Sequence, residues 1–379
     1  MGTAFGTFGE LLQGVLPEAD GDFLVTLPVA RWTMATFREG SDSGELEVWP
    51  PRKTKALQLA RMIADLAPRV RGPGAAPPGG VLTVSSVIPE GKGLASSSAD
   101  LVATARAVGQ ALDVAMPPAR IERLLSRIEP TDGVLYPAIV AFHHRSVRLR
   151  SVLGALPAMA VVGIDEGGSV DTVDFNRIPK PFTAADRHAY ADLLERLTAA
   201  VRRHDLAEVG RIATRSALMN QTLRHKRSLE PMREICREVG GLGVAVGHSG
   251  TTLGVLLDAT DPAYTRRVTA AAQACGELVG GGPAGGGVTV YRTLTFGRPD
   301  ARAPHPAAPA PSPTRTAPTA PTAPPAPPAP TAPTARTTPT ARTAPAAPAA
   351  PGTVGAPPTP VAPVAPAPAP APRTGQDVP

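Results

Sequence analysis

Pro89-Glu90-Gly91-Lys92-Gly93-Leu94-Ala95-Ser96-Ser97-Ser98-Ala99 decides how this chain is read. The alternating run before it, Val81 to Ile88, predicts a strand, and the run after it, Leu101 to Leu112, predicts a helix. A glycine-rich turn at a helix start leaves backbone N–H groups without intrahelical partners. The helix dipole favours an anion in front of them, most often a phosphate. The serine hydroxyls suit either a helix cap or a Mg²⁺ ion. The stretch therefore reads as a triphosphate cradle, although a Gly-Ser turn alone also fits an ordinary strand–turn–helix. A Walker loop is excluded, because Gly93 rather than Ser or Thr follows Lys92.

Three further stretches carry polar chemistry. Gly6-Thr7-Phe8-Gly9-Glu10-Leu11-Leu12-Gln13-Gly14, read alone, is a glycine-bounded turn holding a Glu and a Gln. Glu129-Pro130-Thr131-Asp132-Gly133 has the composition of a helix stop followed by a turn. Its carboxylates lie three positions apart, and transfer of phosphate to an alcohol needs one to orient the hydroxyl and one to hold Mg²⁺. Gly247-His248-Ser249-Gly250-Thr251-Thr252-Leu253-Gly254 fits a tight hairpin or an anion nest of backbone N–H groups, with His248 as a loop residue. Asp165-Glu166, followed by Asp171 and Asp174, fits a cation or ammonium site and a solvated turn equally well. His143 and His144 lack metal-ligand spacing and read as structural.

Between these stretches strands and helices mix, which predicts an α+β class. Strands are expected at 23–27, 32–37, 147–149, 158–164, 244–246, 254–257 and 288–291. Helices are expected at 52–66, 118–128, 186–204, 205–223, 229–240 and 262–279. The glycine-rich run 280–287 reads as a flexible connection. The strand at 158, after Pro157, marks the start of a second lobe.

Of the 379 residues, those from Pro299 onward are almost only Ala, Pro and Thr with scattered Arg, and none is aromatic. Such a tail cannot offset its chain entropy by burial and is expected to be disordered, with polyproline II character. It reads as a spacer, an appendage or a docking segment for a proline-binding partner. The net charge is +6. Arg202-Arg203-His204 and His225-Lys226-Arg227 are the densest basic spots, and without interleaved aromatics they read as solvated faces rather than a nucleic-acid surface. Cys236 and Cys275 are the two cysteines, too few for a disulfide framework or a metal site. With no signal-peptide pattern and no apolar run of about 20 residues, the expectation is a cytoplasmic protein that does not enter the membrane.

The 89–99 stretch resembles the second signature of the GHMP kinases, Pro-x-x-x-Gly-Leu-Gly-Ser-Ser-Ala-Ala, with Ala95 in place of a glycine and Ser98 in place of an alanine. Residues 6–14 resemble the first signature and 247–254 the third. The strings Gly-Glu-Leu-Leu-Gln-Gly and Glu-Pro-Thr-Asp-Gly are similar to the L-threonine kinase branch. The resemblance spans residues 1 to 297. It implies a two-lobe GHMP kinase fold, with lobes at 1–155 and 156–298 and the tail at 299–379. It further implies ATP held by Pro89, Gly91, Lys92, Gly93, Leu94, Ala95, Ser96, Ser97, Ser98, Gly247, Ser249 and Gly250, and Mg²⁺ on Ser97 and Glu129. Asp132 would activate the acceptor hydroxyl, and Glu10 and Gln13 would face the acceptor. The implied acceptor is L-threonine, for the side chain of cobalamin. Homoserine, serine or another hydroxy amino acid, and a non-catalytic nucleotide-binding regulator, stay open as alternatives.

Overall fold

A long amino-terminal hairpin organises the molecule in this computed structural model, which describes residues 1–40, 44–67, 72, 77–168, 178, 180–280 and 287–296. Strand β1 (Gly2–Val15) runs antiparallel to β2 (Asp22–Glu39). Next come β3 (Leu46–Trp49), helix α1 (Thr54–Ala64), β4 (Gly80–Ser86), α2 (Ser96–Ala111) and α3 (Pro118–Leu125). A second hairpin follows, β5 (Ile139–His143) with β6 (Arg148–Gly154), and then β7 (Met159–Asp165). Helices α4 (Ala184–Arg203), α5 (Leu206–Asn220) and α6 (Leu229–Glu238) precede β8 (Gly243–Val246) and β9 (Thr252–Asp258). Helix α7 (Tyr264–Gly280) and β10 (Thr289–Arg292) complete the described residues.

The strands form one sheet in the order β10-β7-β9-β8-β1-β2-β4-β3, with the β5–β6 hairpin attached to β2. All pairs are antiparallel except β3 with β4. The two halves of the sheet meet at the β1–β8 pair, where Glu10 stands opposite Val246. Around that point β1 breaks register between Phe5 and Gly6, between Thr7 and Glu10, and between Glu10 and Leu12. Gly9, at φ +52°, permits the bulge, since a Cβ there would lie 2.3 Å from the Val246 carbonyl oxygen. Extra residues of this kind re-aim side chains along a strand.

Helix α2 is nearly all buried and rich in alanine, which lets it lie close against β1. A Cβ on Gly2 would come within 2.3 Å of the Ala103 carbonyl oxygen. Apolar positions sort by strand periodicity. Val161, Ala245 and Leu256 join the large core with Phe8, Leu12 and Phe23, while Val162, Val244, Val246 and Val255 join a smaller core with Met232, Cys236 and Cys275. Helix α4 starts with a capping box, Thr183 with Asp186.

The α+β class stands, and most expected elements are present with shifted ends. Two expected strands, 23–27 and 32–37, are one strand, β2, and β5 was not foreseen. The 6–14 stretch is not a turn but the middle of β1. Arg202, Arg203 and His204 are exposed, as expected of a solvated face, whereas Lys226 is only 2% exposed. The 281–286 part of the glycine run, Asp171, Asp174 and the tail from 299 lie outside the described residues. Among the described residues no helix is long and apolar enough to cross a membrane.

Candidate active site

Helix α2 begins at Ser96 without a side-chain cap; Ala95 is the cap residue, in the left-handed conformation at φ 59° and ψ 30°. Of the two uses open to the serines, a helix cap is therefore not the one the structure shows. The first intrahelical bond runs from the Ala99 N–H to the Ala95 carbonyl at 2.9 Å, so the preceding N–H groups have no partner within the helix. The turn before it uses positive φ at Gly91 and Gly93 and is held against β1 by the Thr7 N–H on the Leu94 carbonyl at 3.2 Å. The 247–251 loop packs on its other side. A Cβ on Gly250 would lie 2.0 Å from the Lys92 carbonyl oxygen, and the Thr252 hydroxyl donates to that oxygen at 3.0 Å. The Gly250 carbonyl in turn accepts from the buried Lys226 ammonium at 2.6 Å. Burial, first, and the neighbouring Arg224 lower the Lys226 pKa to about 8.

These loops border a cavity of about 420 Å³, within the range small-molecule sites occupy. Of the residues expected from the sequence, Glu10, Gly91, Gly93, Leu94, Ala95, Ser96, Ser97, Ser98, Glu129, Asp132 and Ser249 line it. Pro89, Lys92, Gly247 and Gly250 stand behind the wall. Lys92 points away, to the Asp165 carboxylate and the Gly168 carbonyl, each at 2.6 Å. Asp165 also accepts from Thr251, and although burial works against its charge, the Lys92 and Thr251 hydrogen bonds hold its carboxyl below the usual range. The acidic strand end is thus engaged by the chain itself.

The Glu129–Asp132 turn lies across from the start of α2. The Ser97 hydroxyl donates to one Glu129 oxygen and the Lys55 ammonium to the other. The Asp132 N–H donates to the Ser98 hydroxyl at 3.0 Å. Burial, first, and the nearby Glu129 charge push the Asp132 carboxyl up to about 6, against a smaller downward pull from Ser98. Glu10 is 3% exposed, and its Oε2 has no hydrogen-bond partner among the described residues. Burial, with Asp132 second, raises its pKa well above the ordinary value.

Gln13 is off the cavity. Its side-chain amide donates to the Val246 carbonyl at 3.2 Å, which fixes the amide orientation and leaves Oε1 to accept from His248 Nδ1 at 2.7 Å. Burial, with the His144, Lys180 and Lys226 charges behind it, keeps His248 neutral. His144 and His248 both line the cavity, with ring centres 4.7 Å apart.

The sequence reading also missed Arg52, Lys53 and Lys55, which line the same cavity from the start of α1. Lys53 contacts Glu90 at 2.6 Å and Asp100 at 2.5 Å. Burial opposes its charge, but those hydrogen bonds raise its pKa. The string Arg-Lys-Thr-Lys at a helix start was the available signal, hidden inside an ordinary helix pattern.

A glycine turn leading into an uncapped helix start, a second glycine loop packed on it and a carboxylate turn opposite share one cavity. Residues 56–139 match the family model for the GHMP kinases N terminal domain, and residues 197–287 match that for the GHMP kinases C terminal domain. Both domain models of the GHMP kinases thus match, in order along the chain, and with the relatives below they support a GHMP-family kinase of a hydroxyl-bearing substrate. It is 28% identical over 255 residues to an L-threonine kinase of Citrobacter freundii, covering 66% of this chain and 83% of that one. It is 29% identical over 177 residues to an L-threonine kinase of Salmonella typhimurium, covering 46% and 59%. A homoserine kinase structure from Cytophaga hutchinsonii superposes with a TM-score of 0.53 at 16% identity, over 78% of this chain and 94% of that one. An L. major mevalonate kinase structure in complex with R-mevalonate does so with a TM-score of 0.55 at 13% identity, over 77% and 95%. The last two likenesses concern the fold alone.

Proposed function

We propose that this chain uses ATP to phosphorylate the side-chain hydroxyl of an amino acid, L-threonine, giving O-phospho-L-threonine for cobalamin side-chain synthesis. The observation that carries the reading is Asp132, a carboxylate with its pKa pushed to about 6, beside the start of α2 in one cavity. A base poised near the working pH accepts a hydroxyl proton while remaining mostly ionised at neutrality. The L-threonine kinase relatives support the acceptor.

In this reading the N–H groups at the start of α2 and the α2 dipole bind the triphosphate, with positive charge added by Arg52, Lys53 and Lys55. Asp132 takes the proton of the acceptor hydroxyl as that oxygen attacks the γ-phosphorus. Glu10, whose Oε2 is unpartnered among the described residues, holds the acceptor in the cavity. The chain divides into lobes at 1–155 and 156–298, and the reaction takes place in the cytoplasm, a reducing compartment that suits the two free thiols.

Mg²⁺ fits the side chains present. Among the described residues no group of three or more His, Cys, Asp or Glu side chains could hold a metal by itself. A hydroxyl and a carboxylate already in contact, Ser97 and Glu129, suit an ion that completes its shell with phosphate oxygens. Bound there, the ion would neutralise charge on the phosphates.

The test is ADP release by the full chain with Mg²⁺, ATP and a panel of hydroxy amino acids. L-Threonine-dependent release that falls at least about 10³-fold in Asp132→Asn is expected. Release with homoserine or serine alone would replace the acceptor and leave the chemistry. No release with any acceptor, despite ATP binding, would sink the catalytic reading in favour of a nucleotide-binding regulator.

A further inference from the structure

The Ser98 side chain is the least expected polar group in the cavity wall. The second GHMP signature carries alanine at this place, and the α2 start would build equally well with one. Ser98 is 4% exposed, so its hydroxyl is not a solvent-facing replacement for a methyl group. It does not cap α2. Its contacts run across the cavity instead: Oγ accepts the Asp132 N–H at 3.0 Å and stands 3.4 Å from Asp132 Oδ2. One hydroxyl therefore touches both the backbone and the carboxylate of the same aspartate.

We propose that Ser98 is a positioning residue for phosphoryl transfer, fixing the Asp132 turn against α2 and holding the Asp132 carboxylate toward the acceptor hydroxyl. The inference rests on the reading of Asp132 as the base. The backbone bond fixes where the aspartate stands. The longer Oγ–Oδ2 contact gives the ionised carboxylate a donor that the protonated acid does not need, and contacts of this kind shorten when substrate closes the site. With alanine at 98 the Asp132 N–H loses its acceptor, and the carboxylate loses a hydrogen-bond donor.

The surroundings make that donor matter. The other titratable or charged groups lining the cavity with Asp132 are Glu10 from β1, Arg52, Lys53 and Lys55 around the start of α1, Glu90 in the turn before α2, Asp100 in α2, Glu129 from the same turn, His144 after β5 and His248 from the 247–251 loop. Glu10 and Glu129 disfavour a second negative charge, His248 is neutral, and Lys55 is engaged by Glu129. The Ser98 hydroxyl works against burial and the Glu129 charge and so supports the ionised carboxylate.

The experiment compares wild type, Ser98→Ala and Ser98→Thr as full chains, by steady-state kinetics with Mg²⁺-ATP and L-threonine from pH 5 to 9. Ser98→Ala is expected to lose about tenfold or more in kcat with both KM values within about twofold, and its acid limb moves to higher pH. Ser98→Thr keeps the hydroxyl and is expected to stay within about threefold of wild type. An unchanged kcat and pH profile in Ser98→Ala would overturn the proposal. So would equal losses in the alanine and threonine variants, which would assign the effect to packing of α2.

A ¹³C-carboxyl titration of Asp132 makes the comparison without turnover. The Asp132 midpoint rises in Ser98→Ala if the contact holds, and stays put if it does not. Failure of the kinase reading is separate, because it appears as a wild-type chain that turns over no acceptor, whatever this titration gives.

Discussion

Single residues set the poise of this site, and Ala95 shows the physical logic most plainly. It adopts φ 59°, where a Cβ costs roughly 1–2 kcal/mol. Glycine removes that strain but loses more entropy on folding. Ala95→Gly is therefore expected to raise stability by roughly 0.5–1 kcal/mol, read as a higher urea midpoint with an unchanged slope. A lower midpoint would show that Ala95 makes contacts worth more than its strain. Asp132 carries the opposite trade. Its folded pKa of about 6 stands above the ordinary 3.8, so the folded state disfavours the charge. That penalty is absent below pH 3.8, grows as pH rises toward about 6 and is complete above it. Two outcomes are expected. Wild-type kcat/KM falls as pH drops through about 6, because the base becomes protonated. Asp132→Asn loses turnover yet melts higher than wild type at pH 8 by roughly a few degrees, with the gain vanishing near pH 4. An acid limb well below pH 5, or a destabilised asparagine variant at pH 8, would remove Asp132 as a buried, pH-poised base.

At the scale of elements, the site depends on two loops touching through their backbones. Gly93 and Gly250 face each other so closely that a Cβ on Gly93 would lie 2.9 Å from the Gly250 Cα, and one on Gly250 would meet the Lys92 carbonyl oxygen at 2.0 Å. Gly250→Ala must push the 247–251 loop off the 89–95 turn. The expected cost is roughly 2–3 kcal/mol, with a rise in KM for ATP, since the cavity wall opens. Gly276→Ala is the matched control: a Cβ there meets nothing within 4 Å in α7, and the variant is expected to gain roughly 0.5–1 kcal/mol. Melting curves and ATP titrations of the pair check both directions, and similar behaviour of the two variants would refute the loop contact. The elements themselves were readable in the sequence wherever the pattern is local. The alternation in β4 and the helical spacing of Leu57, Ala60, Ile63 and Ala64 in α1 needed no tertiary information. The 6–14 stretch misled because its glycines signal a turn, while the structure uses Gly9 for a bulge inside a strand.

For the molecule as a whole, the question is which parts of the chain the site requires. Every cavity residue lies between Glu10 and Ser249, and the last described strand, β10, ends at Arg292. Truncation after Arg298 is therefore expected to leave kcat and both KM values within about twofold of the full chain, since the cavity and every described strand lie before it. A larger loss on truncation would give the Ala/Pro/Thr segment a part in the reaction.

What the sequence determined by itself is the glycine turn at the start of α2, the carboxylate turn, the helices and the α+β class. Each of these is written in consecutive residues, where backbone conformation and short-range periodicity decide the outcome. Only the tertiary structure decided that Lys53, Lys55, His144 and His248 join them, that Gln13 serves His248 rather than the cavity, and that Lys92 and Lys226 tie down loops. Those choices depend on which side chains the β1–β8 junction and the α2 start bring within a few ångströms across as many as 235 positions of chain. Burial then lowers the His248 and Lys226 pKa values, and burial is a property of the packed molecule that no local stretch of sequence contains.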